Sequence, residues 1–167
     1  MLLKYLVLYI FSSISFLARG QKKVNNEAFN TMLQSLLNHS VNEVTPKDFD
    51  TSTEVIFLDA REKKEYSVSH LPNAKWVGYD SFKMRNLEGI SKKSEIVVYC
   101  TVGYRSEKIA EKLVKLGYTN VSNLYGGIFE WIHNGKNVMS DSITKNVHTY
   151  NKEWSHWLNK NAGNKIY

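Results

Sequence analysis

Cysteine occurs once in the 167 residues, at position 100, so the chain can close no internal disulfide and cannot build a thiolate-rich zinc site. The histidines, His39, His70, His133, His148 and His156, are scattered without ligand spacing, so no metal centre is expected. No glycine-rich nucleotide loop is present, and no cofactor is expected. The net charge of +6 is spread over positions such as Lys92, Lys93, Lys108, Lys112 and Lys115. It forms no basic stripe interleaved with aromatics, which argues against nucleic acid as a partner and leaves a mild preference for small anions. The apolar run near the start, Tyr5 to Leu17, holds 13 residues, three of them serine, whereas a spanning helix needs about 20. No internal repeat or low-complexity tract interrupts the chain, and 43% hydrophobic content suits one globular domain with a proper core.

That opening run follows a short basic start, Met1-Leu2-Leu3-Lys4, and precedes the small residues of Ala18-Arg19-Gly20. The pattern predicts an export signal over residues 1–20, cleaved before Gln21. A membrane anchor or a first core helix are the alternatives. Cleavage removes Lys4 and Arg19 and no acidic residue, so the charge falls from +6 to +4. In an exported protein, periplasmic or secreted, a lone cysteine points to a reactive thiol or an intermolecular partner.

Glu95 to Ser106 organises the rest. Ile96, Val97, Val98 and Tyr99 form an apolar, β-branched run suited to a strand buried on both faces of a parallel sheet. It ends in Cys100. The six residues Cys100-Thr101-Val102-Gly103-Tyr104-Arg105 then separate it from a helical pattern of Ile109, Ala110, Leu113, Val114 and Leu116. A loop curled around the sulfur turns its amides, and those of the helix's first turn, into an anion-binding nest that favours thiolate. Arg105 is expected to add positive charge, and Gly103 to take a positive φ. The competing reading is an inert core cysteine.

The remaining elements follow in order. Phe29, Met32, Leu33, Leu36 and Leu37 mark a first helix from Glu27, and Val41 to Val44 a short edge strand. Thr45-Pro46-Lys47-Asp48 is a helix start. Glu54 to Asp59 is a buried strand whose end places Asp59 and Arg61 at the edge where open α/β sheets bind ligands. Lys63 to Ser69 suits a short helix, Lys75 to Val77 a strand, and Ser81 to Leu87 a weak helix with Phe82, Met84 and Leu87 inward. Gly117-Tyr118 is a helix C-cap, Val121 to Leu124 a last strand, and Tyr125-Gly126-Gly127 opens another helix. The alternation predicts a three-layer α/β fold, with a central parallel sheet of about five strands and helices on both faces. Beyond Met139, Tyr150, Trp154, Trp157 and Leu158 recur at helical spacing, as packing or as a lid or partner surface.

The chain resembles single-domain rhodanese-like (thiosulfate sulfurtransferase-like) proteins over roughly Val41 to Val138. The resemblance rests on Asp59-Ala60-Arg61-Glu62, His70-Leu71-Pro72-Asn73-Ala74, the Cys100 loop, and Tyr125-Gly126-Gly127-Ile128 with Trp131. It implies a domain at 41–138 between an N-terminal helical extension at 21–40 and a C-terminal aromatic extension at 139–167. Cys100 and Arg105 would be catalytic, and Thr101, Val102, Gly103 and Tyr104 would bind substrate. Asp59, Arg61, Gly126 and Gly127 would support the site, and His70 would brace its turn. The implied reaction moves a sulfane sulfur from a small anionic donor such as thiosulfate to cyanide or a thiol. A persulfide carrier serving an exported partner protein is the alternative. A cysteine-based phosphatase or arsenate reductase is disfavoured, because that signature sets five residues between Cys and Arg and this loop sets four. Arg105 is the only loop cation, where dedicated thiosulfate enzymes often carry more charge.

Overall fold

The computed structural model describes residues 22–49 and 54–167. The expected export signal lies outside them. Among the described residues no helix is long and apolar enough to cross a membrane.

The elements run α1 (Glu27–Leu36), β1 (Asn42–Val44), β2 (Ile56–Asp59), α2 (Lys63–Val68), β3 (Lys75–Trp76), β4 (Glu95–Tyr99), α3 (Tyr104–Lys115), β5 (Asn120–Leu124) and α4 (Gly127–His133). Then come four short strands, β6 (Val138–Met139), β7 (Ile143–Thr144), β8 (Asn146–His148) and β9 (Asn164–Ile166). The main sheet is parallel, five-stranded, in the order β1-β5-β4-β2-β3. This is the α/β architecture expected, and the apolar run before Cys100 is its central strand.

Alternation along β4 divides the core. Ile96 and Val98 face Ile109, Ala110 and Leu113 of α3. Val97 and Tyr99 face the other way, into a cluster with Phe29 and Leu33 of α1, Ile128 and Phe129 of α4, and Val147 and Leu158 near the C-terminus. The segments that flank the sheet in sequence therefore close one of its faces. Glu107 of α3 adds a polar tie, accepting hydrogen bonds from the amides of Asn38 (3.0 Å) and Ser40 (3.1 Å) behind α1.

β2 and β4 pair in register, Asp59 opposite Tyr99, so the residues after both strands leave the sheet at one edge. There Asp59 and Arg61 form an ion pair with no exposed surface. Arg61 Nη2 donates to Asp59 Oδ2 at 2.7 Å and to the Ser69 carbonyl at 2.6 Å. Burial opposes the guanidinium's charge, but the charge and hydrogen bonds of Asp59, with Tyr99 and Glu65 nearby, together raise the arginine's pKa. His70 braces the turn that follows, exchanging backbone hydrogen bonds with Met139 (2.8 and 2.9 Å).

Two expectations fail locally. Ser81 to Leu87 contains only a 3-10 turn, Met84–Leu87, in which Leu87 is buried while Met84 is 53% exposed. Phe82 lies before the turn, so no continuous helix carries the three side chains together to the core. The aromatic stripe after Met139 is likewise no α-helix. Of its residues only Trp154 and Trp157 stand on a 3-10 turn, Trp154–Trp157, between β8 and β9, which pair with each other in parallel; Tyr150 precedes the turn and Leu158 follows it. Asn164-Lys165-Ile166 reaches back to pair there, and that long-range contact has no local signature.

Removing one partner of a buried pair leaves the other charge uncompensated. Asp59→Ala is therefore expected to lower the unfolding free energy by about 3–5 kcal/mol, as read from the urea midpoint.

Candidate active site

Three elements converge at the C-terminal edge of β4. The chain turns after Cys100 through Thr101, Val102 and Gly103 and enters α3 at Tyr104. The loop is thus shorter than expected: Tyr104 and Arg105 belong to the first helical turn, before the apolar period that marks the helix in sequence begins. Gly103, at φ +123°, is the N-cap residue, and its amide donates to Cys100 Sγ at 3.1 Å. Its carbonyl accepts from Asn123 Nδ2 at 3.0 Å and from the Glu107 amide at 3.0 Å. Ser106 Oγ, 2.7 Å from Asn123 Oδ1, completes this buried brace. The opening amides of α3 have no acceptor within their own helix, so they are free for negative charge beside the sulfur.

The second element is α4. Ile128 donates its amide to the Cys100 carbonyl (2.9 Å), and Phe129 to the Thr101 carbonyl (3.3 Å). Gly127, at φ +57°, makes this approach possible: a Cβ there would lie 2.5 Å from the Cys100 oxygen and 2.6 Å from that of Thr101. Gly126, at φ +81°, would meet Glu130 at 2.5 Å. Each of the paired glycines is thus required for a separate reason.

The third element is α2, through Glu65, a residue the sequence reading missed. Its carboxylate is fully buried. It accepts from Arg105 Nη1 (2.7 Å), Arg105 Nη2 (2.8 Å) and Thr101 Oγ1 (3.2 Å). Arg105 Nη2 also donates to Thr101 Oγ1 at 2.9 Å. Burial would raise the Glu65 pKa, but the hydrogen bonds and charge of Arg105, the charge of Arg61 and the Glu62 amide together lower it. Arg105 is held charged in turn: burial opposes its charge, while Glu65 and the nearby Cys100 raise its pKa. Arg105 therefore reaches the site with its charge offset, holding the loop, and is not the free cation that loop position suggested.

Cys100 is 1% exposed and lines a cavity of about 440 Å³ together with Thr101, Val102, Tyr104 and Arg105. Gly103 stays behind this wall, on the amide side of the sulfur, and Asp59, Arg61, Gly126 and Gly127 act from outside the cavity. Leu36, Glu62, Tyr79, Asp80, Tyr150 and Trp154 complete the lining. Among the described residues no group of His, Cys, Asp and Glu is arranged to hold a metal ion. Of the residues missed, Asn123 carried a signal, a polar side chain in a buried strand. Glu65 carried none, because one short amphipathic turn does not tell which face is inward.

The model of the family described as Rhodanese-like domain matches residues 45–134. The tRNA uridine(34) hydroxylase of Hamiltonella defensa subsp. Acyrthosiphon pisum is 35% identical over 120 residues, covering 68% of this chain and 32% of that protein. The adenylyltransferase and sulfurtransferase UBA4 of Candida albicans is 34% identical over 100 residues, covering 53% of this chain and 23% of that protein. The chain spans about a third or less of these curated relatives. A rhodanese-related protein from Thermoplasma volcanium shares the fold with a TM-score of 0.54 at 24% identity, covering 60% of this chain and 99% of that one.

Two outcomes follow from the geometry. Gly127→Ala should cost about 1–3 kcal/mol of stability, because two backbone oxygens must move, and should change the rate at which iodoacetamide labels Cys100. The lowered Glu65 pKa stabilises the fold above the ordinary carboxylate value of 4.5 and is lost as pH falls through the still lower folded value. The melting-temperature gap between wild type and Glu65→Gln should therefore be wide at neutral pH and close progressively as pH falls below 4.5.

Proposed function

The chain belongs to the rhodanese-like sulfurtransferase family, and from that premise we propose that it transfers a sulfane sulfur through a persulfide on Cys100. The observation that carries this reading is the position of the sulfur. Cys100 lines the cavity, its sulfur takes a hydrogen bond from the Gly103 amide, and it lies just before the opening turn of α3.

With thiosulfate as donor, the Cys100 thiolate attacks the outer sulfur, the S–S bond of the donor breaks, and its electron pair leaves with sulfite. The persulfide, carrying the negative charge, is stabilised by the loop and helix amides as an oxyanion is in an acyl-transfer site. Cyanide or a thiolate then attacks the outer sulfur and restores the Cys100 thiolate. Arg105 serves by fixing Thr101 and the loop against Glu65. The small collar of a loop with four residues between Cys100 and Arg105 suits a sulfur atom better than a tetrahedral phosphate. Export belongs to the same proposal, supported by the pattern of residues 1–20.

Intact mass reads the outcome directly. Thiosulfate should add one sulfur to the wild-type protein and none to Cys100→Ser, and cyanide should remove it as thiocyanate. No adduct on a protein whose Cys100 still alkylates would overturn thiosulfate as donor, and hydrolysis of a small phosphate ester would overturn the reaction class. Protein recovered from its own cells should begin at Gln21; a chain still carrying residues 1–20 would refute cleavage.

A further inference from the structure

Three walls of the Cys100 cavity come from outside the matched stretch 45–134: Leu36 at the end of α1, and Tyr150 and Trp154 in the C-terminal segment. Tyr150 is held deliberately. Its backbone is left-handed, at φ +70°, a costly conformation for a residue with a large side chain. The turn is fixed because its amide donates to Nδ1 of buried His148 at 3.1 Å. The Tyr150 ring lies over the Arg105 guanidinium, 5.0 Å from centroid to carbon, yet the residue is 48% exposed. Trp154 is set by its amide on Asn151 Oδ1 at 2.9 Å.

The charges of the cavity complement these aromatics. Among the described lining residues Arg105 is the single cation, and Glu65 already engages it through both terminal nitrogens. Glu62 and Asp80 add two carboxylates, and Glu62 Oε1 is buried without a hydrogen-bond donor among the described residues. A site so lined offers flat apolar surface and unspent acceptor capacity. Away from the amides beside the sulfur, it offers no unengaged cation to an anionic acceptor.

We propose that Tyr150 and Trp154 are specificity-determining residues, and that the acceptor they select is an organic thiol with an aromatic or aliphatic body and a neutral or cationic, hydrogen-bond-donating end. The proposal rests on the sulfur-transfer reading above. The acceptor thiolate attacks the outer sulfur of the Cys100 persulfide, a new S–S bond forms on the acceptor, and the electron pair of the broken bond returns to Cys100. The acceptor body lies against the two rings, and its donor group faces Glu62.

The test uses the full chain and two readouts. In the first, Cys100 is alkylated with N-benzyl iodoacetamide or with iodoacetate, and each rate is divided by that for a free thiol. Wild type should favour the benzyl reagent by about tenfold, and Tyr150→Ala should cut that preference about fivefold, the scale of one aromatic contact. Tyr150 is half exposed, so its truncation leaves the core intact; Trp154→Leu, partly buried, serves as the second variant. In the second readout, persulfide-loaded protein is discharged with benzyl mercaptan or 3-mercaptopropionate, and the same order and the same loss are expected. Equal normalised rates for the two reagents, or a preference unchanged in both variants, would overturn the proposal. If the alkylation preference holds and falls in the variants but no persulfide ever loads, the wall's selectivity stands and it is the sulfur-transfer reading that has failed.

Discussion

The paired hydrogen bonds between Arg105 and Glu65 are the interaction on which the site depends. They join the first turn of α3 to α2 across the mouth of the cysteine loop, and through Thr101 they hold the loop itself. A carboxylate buried this completely is tolerated only because its oxygens are engaged by a guanidinium, a hydroxyl and an amide. The same pairing also sets the chemistry. It removes Arg105 as an open anion-binding charge and leaves stabilisation of the sulfur to backbone amides. Those amides are fixed by Gly103 on one side and by the Asn123–Ser106 brace on the other.

The loop is gripped from both ends by glycines at positive φ, for different reasons. Gly103 lets the chain turn so that its own amide meets the sulfur. Gly127 lets a second helix bring its amides against the loop's carbonyls, a distance at which no side chain fits. Carbonyls facing α4 leave the opposite side of those peptide units free for the cavity. Preorganisation of this kind costs nothing at the moment of reaction.

Much of this was legible in the sequence because it rests on local rules. The apolar run of β4, the helical period of α3, and Gly103 between them place Cys100 at a strand-to-helix turn, and the strand–helix alternation implies a parallel sheet. What was not legible depends on contacts distant in sequence. Glu65 looks like any carboxylate on a short surface helix until α3 is packed beside it. Tyr150 and Trp154 follow a helical period by coincidence, since the pairing of β8 with β9 overrides that period. Arg105 was identified as important for its charge, whereas the fold uses its geometry, and only the position of its partner tells the two apart.

The segments flanking the matched domain are thereby part of one unit with it. They close one face of the sheet and supply cavity walls from both ends of the chain. The central claim is that Arg105 holds the loop while backbone amides hold the sulfur, and a crystal structure of the thiosulfate-treated protein tests it most directly. The account predicts one extra sulfur on Cys100, facing the opening amides of α3, with Arg105 still paired to Glu65. An Arg105 side chain swung away from Glu65 onto the outer sulfur, or a treated crystal with an unmodified Cys100, would contradict it.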